Sequence, residues 1–457
     1  MKTMVVYENS YFNIDDNNRT IVNNLITMNY KIKNDLGLKS FPVQIISKDK
    51  AYIGSIIGNI YLNDTNLVIY PKVFKNRNLS SDECKKTIRF LEKRTLQCAK
   101  GDLNSTILFL KSGIIRDEDP FVDVLAQYFW EITSQAVRKS KICVYQTLKE
   151  RTETIKGRIL LQKQFSRPIV DTKIWCEYKQ LSDENIFNQL LFWGCTYLST
   201  LVADLDIKRK LKSLGNEFSE SIDLLSKNTV LRIKLPRQFK EYEESIAIVK
   251  ELYLQDCEYS ESFYKGKRVS GFIISMERSF EKIVAYFSEL AARKLGVMHK
   301  KQASIKFAAS NINAEYDYSV RPDDLYYYGD SFLILDAKYK VLSSDSPSNR
   351  KPSTEDFYQM ISSCVAYKAN EAILVYPDFY GYRNMFWKSI NVVNGKNIFV
   401  KVSVIDILKS DNEILKDLTE AVKDTLFIKS RSIVERNDIM TQRSANSSHG
   451  FFYFFFD

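Results

Sequence analysis

The chain has 457 residues, 45% hydrophobic and 27% charged, which is enough apolar sequence for two or three cores and so for more than one domain. Its 15 glycines and 9 prolines are too few for a low-complexity or disordered protein. The net charge of +10 favours a polyanionic partner such as nucleic acid, although a bias toward solubility gives the same number.

Residues 1 to 80 read as β-rich. The stretch FPVQIISKDKAYIGSIIGNIYLNDTNLVIYPKVF alternates β-branched and polar residues, with turn signals at Lys48-Asp49 and Asn63-Asp64. Helical periodicity takes over at SSDECKKTIRFLEKRTLQ, where Ser80 or Ser81 can cap. It returns at DPFVDVLAQYFWEITSQAVRKS, where Phe121, Leu125, Phe129 and Ile132 recur at helical spacing. ETIKGRILLQKQF reads as a turn into a strand. LSDENIFNQLLFWGCTYLSTLVADL reads as one long helix capped by Ser182 or Asp183, and more helices follow to residue 260.

The polar break YKGKRVSG at 264–271 marks a domain boundary, beyond which the pattern turns to mixed α/β. A helix is expected over 274–295, then a strand at ASIKFAA and a hairpin within RPDDLYYYGDSFLILDAKYK. A helix follows from Ser353 or Thr354, then strands at AILVYP and NIFVKVSVIDIL. The chain thus divides into a β-rich then helical N-terminal region at 1–150, a mainly helical middle region at 151–265, an α/β domain at 266–440 and a frayed tail at 441–457.

Absences narrow the chemistry. The seven cysteines are scattered, with no C-x-x-C pair, so a zinc site or disulfide framework is not expected. Two unclustered histidines, His299 and His449, argue against His-metal nucleases and most Ser-His-Asp enzymes. No G-x-x-x-x-G-K-[ST] string occurs, so any NTP-driven work falls to a partner. No signal-peptide stretch or apolar run of membrane-spanning length is present, and a cytoplasmic protein is expected.

The hairpin raises a specific question, because its apolar second strand ends on Asp336 and Lys338. Gly329-Asp330 is a glycine-first two-residue loop. It sets Tyr328 opposite Ser331 and, further along, Asp323 opposite Asp336. Such cross-strand neighbours have Cβ atoms roughly 4.5–5.5 Å apart, and two carboxylates that close repel unless a cation lies between them. Lys338, two residues on, projects from the same face as Asp336. The trio suits metal-assisted phosphodiester hydrolysis. Mg²⁺ takes one or two carboxylates and retains waters, and an ammonium can orient the attacking water or stabilise the charged phosphate.

A D/E-x-K string alone is weak, since Glu83-Cys-Lys85, Asp171-Thr-Lys173, Glu177-Tyr-Lys179 and Asp206-Ile-Lys208 also occur. Only the string at 336–338 has the apolar strand, the tight turn and the opposed acid. The structural alternative is a strand-end salt bridge from Asp336 to Lys338 or Arg321. Glu281, beside the apolar stripe of the preceding helix, is a candidate further ligand or a solvated charge. Gln359, in the first turns of the following helix, can position a water or phosphate oxygen, or sit half-buried with one hydrogen bond.

The order helix–strand–RPDD–hairpin–LILDAKYK–DFYQM–helix–AILVYP resembles the PD-(D/E)xK nuclease core, an α/β sheet flanked by helices. In detail it resembles the McrC subunit of McrBC modification-dependent restriction systems. MERSFEKIV is similar to the helix before that family's core. RTETIKGRILL, with Gly157 and Arg158, and CEYKQLSDENIFNQLL, with Asn185 and Asn188, are similar to its strand and helix upstream. The resemblance covers residues 110–380. It implies a DNA endonuclease subunit using Mg²⁺ or Mn²⁺, with Asp323, Asp336 and Lys338 as the catalytic set, Gln359 as an accessory and Glu281 as a candidate metal ligand beside the two aspartates. It also implies double-stranded, modified DNA as substrate and a hexameric McrB-like AAA+ GTPase as partner, with residues 1–150 entering the partner's ring. Ser362 and Ser363 depart from the family pattern, which often has a tyrosine there, and the chain is longer than compact members. A non-catalytic adaptor with a degenerate nuclease fold, and a repair nuclease that cuts alone, remain as alternatives.

Overall fold

The computed structural model describes residues 2–16, 18–62, 65–76, 81–99, 106–111, 120–165, 172–218, 226–261, 269–308, 318–329, 331–342, 351–379, 381, 384–388 and 397–426. The chain divides into two units, Met1–Ser279 and Phe280–Asp457. The Phe-rich tail lies outside the described residues, as does most of the expected break at 264–271.

The first unit carries a five-stranded sheet in the order Lys2–Tyr7, Thr65–Tyr70, Ile56–Leu62, Val269–Ser275, Ile107–Lys111. Val269–Ser275, which begins inside the expected break, pairs antiparallel with both neighbours and so belongs to this unit. A second sheet joins Ser10–Asn13, Lys50–Ile53 and Val43–Ser47. A helix, Arg19–Asp35, interrupts the β-rich stretch. Its Asn-rich sequence hides the periodicity, but Val22, Leu25 and Ile32 join the core with Val43 and Ile53. Asn29 is buried there because its amide donates to and accepts from the Val43 backbone, at 2.7 and 3.1 Å.

The predicted long helix after residue 182 is shorter, Ile186–Leu201, and its cap is Asn185 rather than Ser182 or Asp183. The Asn185 side-chain oxygen accepts from the Phe187 and Asn188 amides at 3.2 and 3.1 Å, while its amide donates to Ile142 O at 3.0 Å. That tertiary contact outweighs the local preference for an upstream cap. A second helix, Leu205–Gly215, is capped by Asp204 and holds Asp206 and Lys208. Three strands, Val144–Thr152, Ile174–Ser182 and Arg158–Ile159, form a separate small sheet in which Glu177 pairs with Lys149 at 2.9 Å.

The second unit is built on a six-stranded mixed sheet. Its elements are α1 (Met276–Leu295), β1 (Met298–Lys301), β2 (Asp324–Tyr328), β3 (Ser331–Ala337), α2 (Thr354–Tyr367), β4 (Glu371–Pro377), β5 (Met385–Lys388), β6 (Phe399–Ile405) and α3 (Asp411–Leu426). Most of α1 belongs to this unit. The strand order is β1-β2-β3-β4-β6-β5. β3–β4 and β4–β6 are parallel and the other pairs antiparallel. α2 makes the crossover that a parallel β3–β4 pair requires.

β3 is central, and Leu333, Ile334 and Leu335 are all fully buried, so both its faces are covered. Ile334 packs with Met360 and Cys364 of α2 and with Leu374 and Tyr376 of β4. Strand alternation puts Asp336 on the face of Ile334. The β2–β3 hairpin has the register read from its loop, from Tyr328↔Ser331 to Asp324↔Leu335. Gly329 opens the turn at φ +55°, in the left-handed region.

A Cβ at Gly329 would meet nothing within 4 Å, so alanine there brings backbone strain alone. Gly329→Ala is expected to cost about 1 kcal/mol, a fall of about 2–4 °C in the melting midpoint by circular dichroism. An unchanged midpoint would mean that the turn does not use the left-handed conformation.

Candidate active site

Asp323 stands one residue before β2, and Asp336 is the next-to-last residue of β3. The backbone holds the two side chains together. The Ala337 N–H donates to Asp323 Oδ2 at 2.8 Å, and the Asp323 N–H donates to the Asp336 carboxylate. Asp336 is only 5% exposed. Lys338 Nζ is in ion-pair contact with Asp336 Oδ2, and its side chain is 14% exposed. Oδ2 of Asp336 is fully buried, and the Lys338 ammonium is its partner. Arg321 takes no part, since its guanidinium donates to Gln302.

These contacts give the groups different titration behaviour. Burial, then the charges of Asp336 and Glu281, push the Asp323 carboxyl up to about 8, against the weaker pull of the Ala337 amide and Lys338. Burial also raises Asp336, although Lys338 opposes it. Burial draws the Lys338 ammonium down, but Asp336, Asp323 and Asp356 outweigh this and hold it above the ordinary lysine value. Lys338 is therefore a resident cation rather than a base.

The five residues singled out in the sequence fall into three groups. Asp323, Asp336 and Lys338 form one cluster. Glu281, half-buried on α1, is close enough to act on Asp323 electrostatically. Among the described residues no three His, Cys, Asp or Glu side chains form a ready-made metal cage. Gln359 is exposed on α2, and its backbone carbonyl accepts from Ser363 Oγ at 2.9 Å.

The residue that α2 turns toward the site is Asp356, 2% exposed. Its carboxylate accepts from Lys340 Nζ and from the Tyr376 hydroxyl, both at 2.8 Å. Burial alone would raise Asp356, but Lys340, Tyr376 and Ser353 hold it below the usual carboxylate range. The sequence signals it only as a helix-cap partner, three residues after the N-cap Ser353. On the neighbouring residue Asp324, the fully buried carboxylate meets His299 Nε2 at 2.7 Å, so this histidine has a structural partner.

The cluster fits a divalent cation on its own chemistry. A half-buried carboxylate, Asp323, faces a buried one, Asp336, and burial together with the charge of Asp336 drives Asp323 toward protonation. Mg²⁺ needs no more than one or two carboxylates if it keeps its waters. Among the described residues Cys84, Cys98, Cys143, Cys176, Cys195 and Cys364 are free thiols, and no helix is long and apolar enough to cross a membrane. The decoy Asp171 lies outside the described residues.

Because Asp323 binds its proton more tightly folded than unfolded, it favours the folded state below the unfolded value of 3.8, and that contribution is lost as pH rises to about 8. In EDTA, Asp323→Asn is therefore expected to melt higher than the parent at pH 8, with the gap closing toward pH 4. A gap that is constant with pH would show that Asp323 titrates normally.

No curated protein matches the chain. A chain in the refined half-complex from the tetradecameric assembly of Thermococcus gammatolerans McrB AAA+ hexamers with bound McrC shares its fold. The TM-score is 0.59 at 16% identity, over 93% of this chain and 100% of that one. A chain in the cryo-EM structure of the Thermococcus gammatolerans McrBC complex is 18% identical, over 64% of this chain and 88% of that one, with TM-score 0.43. A model of the McrBC 5-methylcytosine restriction system component matches residues 51–377, well over half the chain and the whole of the candidate site. The chain belongs to the family of the McrBC 5-methylcytosine restriction system component.

Proposed function

We propose that the protein is a Mg²⁺-dependent DNA endonuclease subunit that cuts when joined to an AAA+ GTPase hexamer. The observation that carries this reading is the apposition of half-buried Asp323 and buried Asp336 beside Lys338. The second unit's mixed sheet, with a crossover helix between parallel β3 and β4, supports reading it as a PD-(D/E)xK core. The positive net charge suits a polyanionic substrate. Family membership supports modified DNA as the target, and the McrB AAA+ hexamers that accompany the McrC of the similar assembly support a motor partner. Residues 1–150 are the proposed partner-binding region.

The chain's own residues divide the work. Asp323 and Asp336 would hold the cation, with Glu281 adding negative charge nearby. When bound, Mg²⁺ would lower the pKa of a water and neutralise charge on the phosphate. Lys338, kept protonated by its acidic neighbours, donates to the phosphate oxygen on which charge develops. The rigid strand end fixes this donor before substrate arrives, so little reorganisation is needed at the moment of reaction. Gln359 is exposed on α2, and its proposed role is to position a water or a phosphate oxygen.

The test is cleavage of modified duplex DNA by the purified chain with Mg²⁺, GTP and its AAA+ partner. Asp336→Ala is expected to abolish cutting, and Lys338→Ala to slow it by about 10²–10³-fold. Both variants should still stimulate the partner's GTP hydrolysis. Cutting that survives both changes would contradict the assignment, and a parent that binds DNA and motor but never cuts would make the chain an adaptor. Cutting without GTP or partner would favour the stand-alone repair nuclease.

A further inference from the structure

We propose that Asp356 is a positioning residue for Lys338, clamping the two points at which the Lys338 backbone is tied down. The proposal rests on the nuclease reading above and assigns a further residue to the same site. Lys338 leaves the end of β3, where strand pairing no longer holds it on both sides. Its backbone has two ties. Its N–H donates to Val375 O at 2.8 Å, and its carbonyl accepts from the Lys340 N–H at 2.9 Å.

Asp356 reaches the neighbours of both ties from α2. One carboxylate oxygen, Oδ1, accepts from Lys340 Nζ, the side chain of the residue that holds the Lys338 carbonyl. The other, Oδ2, accepts from the hydroxyl of Tyr376, which follows Val375 in β4. A single carboxylate thus joins the segment after β3 to the end of β4, with Lys338 bracketed between them. The clamp is itself fixed, because the Asp356 N–H donates to Ser353 Oγ at 3.1 Å in the first turn of a 14-residue helix. The Tyr376 ring is buried in the core beneath it. Beyond its cap contact with Ser353, the Asp356 carboxylate is taken up by Lys340 and Tyr376.

The physical need is clear. A lysine carries its charge on a flexible four-carbon stem and gives no fixed direction by itself. Catalysis is steep in placement, since an error of about 1 Å can cost about 100-fold. Pairing with Asp336 fixes the tip of the Lys338 side chain, and the Asp356 clamp fixes its root.

The test uses full-length Asp356→Asn, Asp356→Glu and Tyr376→Phe with the AAA+ partner, GTP, Mg²⁺ and modified duplex DNA. Three quantities are read: the single-turnover cutting rate at saturating Mg²⁺, the Mg²⁺ concentration for half-maximal cutting, and stimulation of GTP hydrolysis. Asp356→Asn should slow single-turnover cutting about 100-fold and Tyr376→Phe about 10-fold. Half-maximal Mg²⁺ and GTPase stimulation should hold, and Asp356→Glu should recover part of the rate. Cutting within about twofold of the parent in both Asp356→Asn and Tyr376→Phe, with Asp336→Asn inactive, overturns the clamp and leaves the nuclease reading standing. A rate that falls only in step with GTPase stimulation also overturns it, because that is general damage to the fold. An active Asp336→Asn overturns both. Should Asp356→Asn fail to fold, Tyr376→Phe decides by the same limits, since it removes one hydroxyl and leaves the Lys340 ion pair in place.

Discussion

A half-buried carboxylate, Asp323, and a buried one, Asp336, held face to face are the constraint on which the rest of the second unit depends. Their mutual repulsion in a low-dielectric setting is costly, and a fold under pressure for stability alone would replace one of them. Here the backbone enforces the arrangement. The Ala337 amide grips Asp323 and the Asp323 amide grips Asp336, so neither acid can swing away without breaking a hydrogen bond. The strand that carries Asp336 lies between an antiparallel and a parallel neighbour and is buried on both faces. The charges therefore sit at the carboxyl end of a rigid central strand, beside a crossover helix, where open α/β sheets bind ligands.

Burial is the first influence on Asp323, Lys338 and Asp356 alike, yet the three end in different states. Asp323 faces other acids and is driven toward its neutral form. Lys338 is surrounded by acids and keeps its proton. Asp356 collects three donors and stays ionised. The same environment thus supplies a carboxyl driven toward its neutral form, a fixed cation, and a fixed anion beside it. Divergent protonation among neighbours is the electrostatic pattern of acid–base and metal-assisted sites.

Local rules made the hairpin legible in the sequence. Gly329 fixed the loop, the loop fixed the register, and the register put Asp323 opposite Asp336. The α2 cap at Ser353 and the buried strand at 333–335 were readable for the same reason, because each depends on adjacent residues. What escaped depends on contacts distant in the chain. Asn185 won the helix cap through a bond to Ile142, and Asn29 entered the core by pairing with the Val43 backbone. Asp356 went unmarked in the sequence, because Lys340 and Tyr376 are brought to it only by the β3–α2–β4 crossover. Gln359, chosen by its place early in the helix, lies exposed, while the adjacent Met360 faces the core.

The central claim is that Asp323 and Asp336 jointly bind a divalent cation, and its most direct test is crystallographic. A crystal of the full chain soaked in Mn²⁺ should give an anomalous difference peak about 2.1 Å from an oxygen of each aspartate, with Lys338 still paired to Asp336. A map with no peak between the two carboxylates, or with the two side chains turned to separate surfaces, would contradict the account.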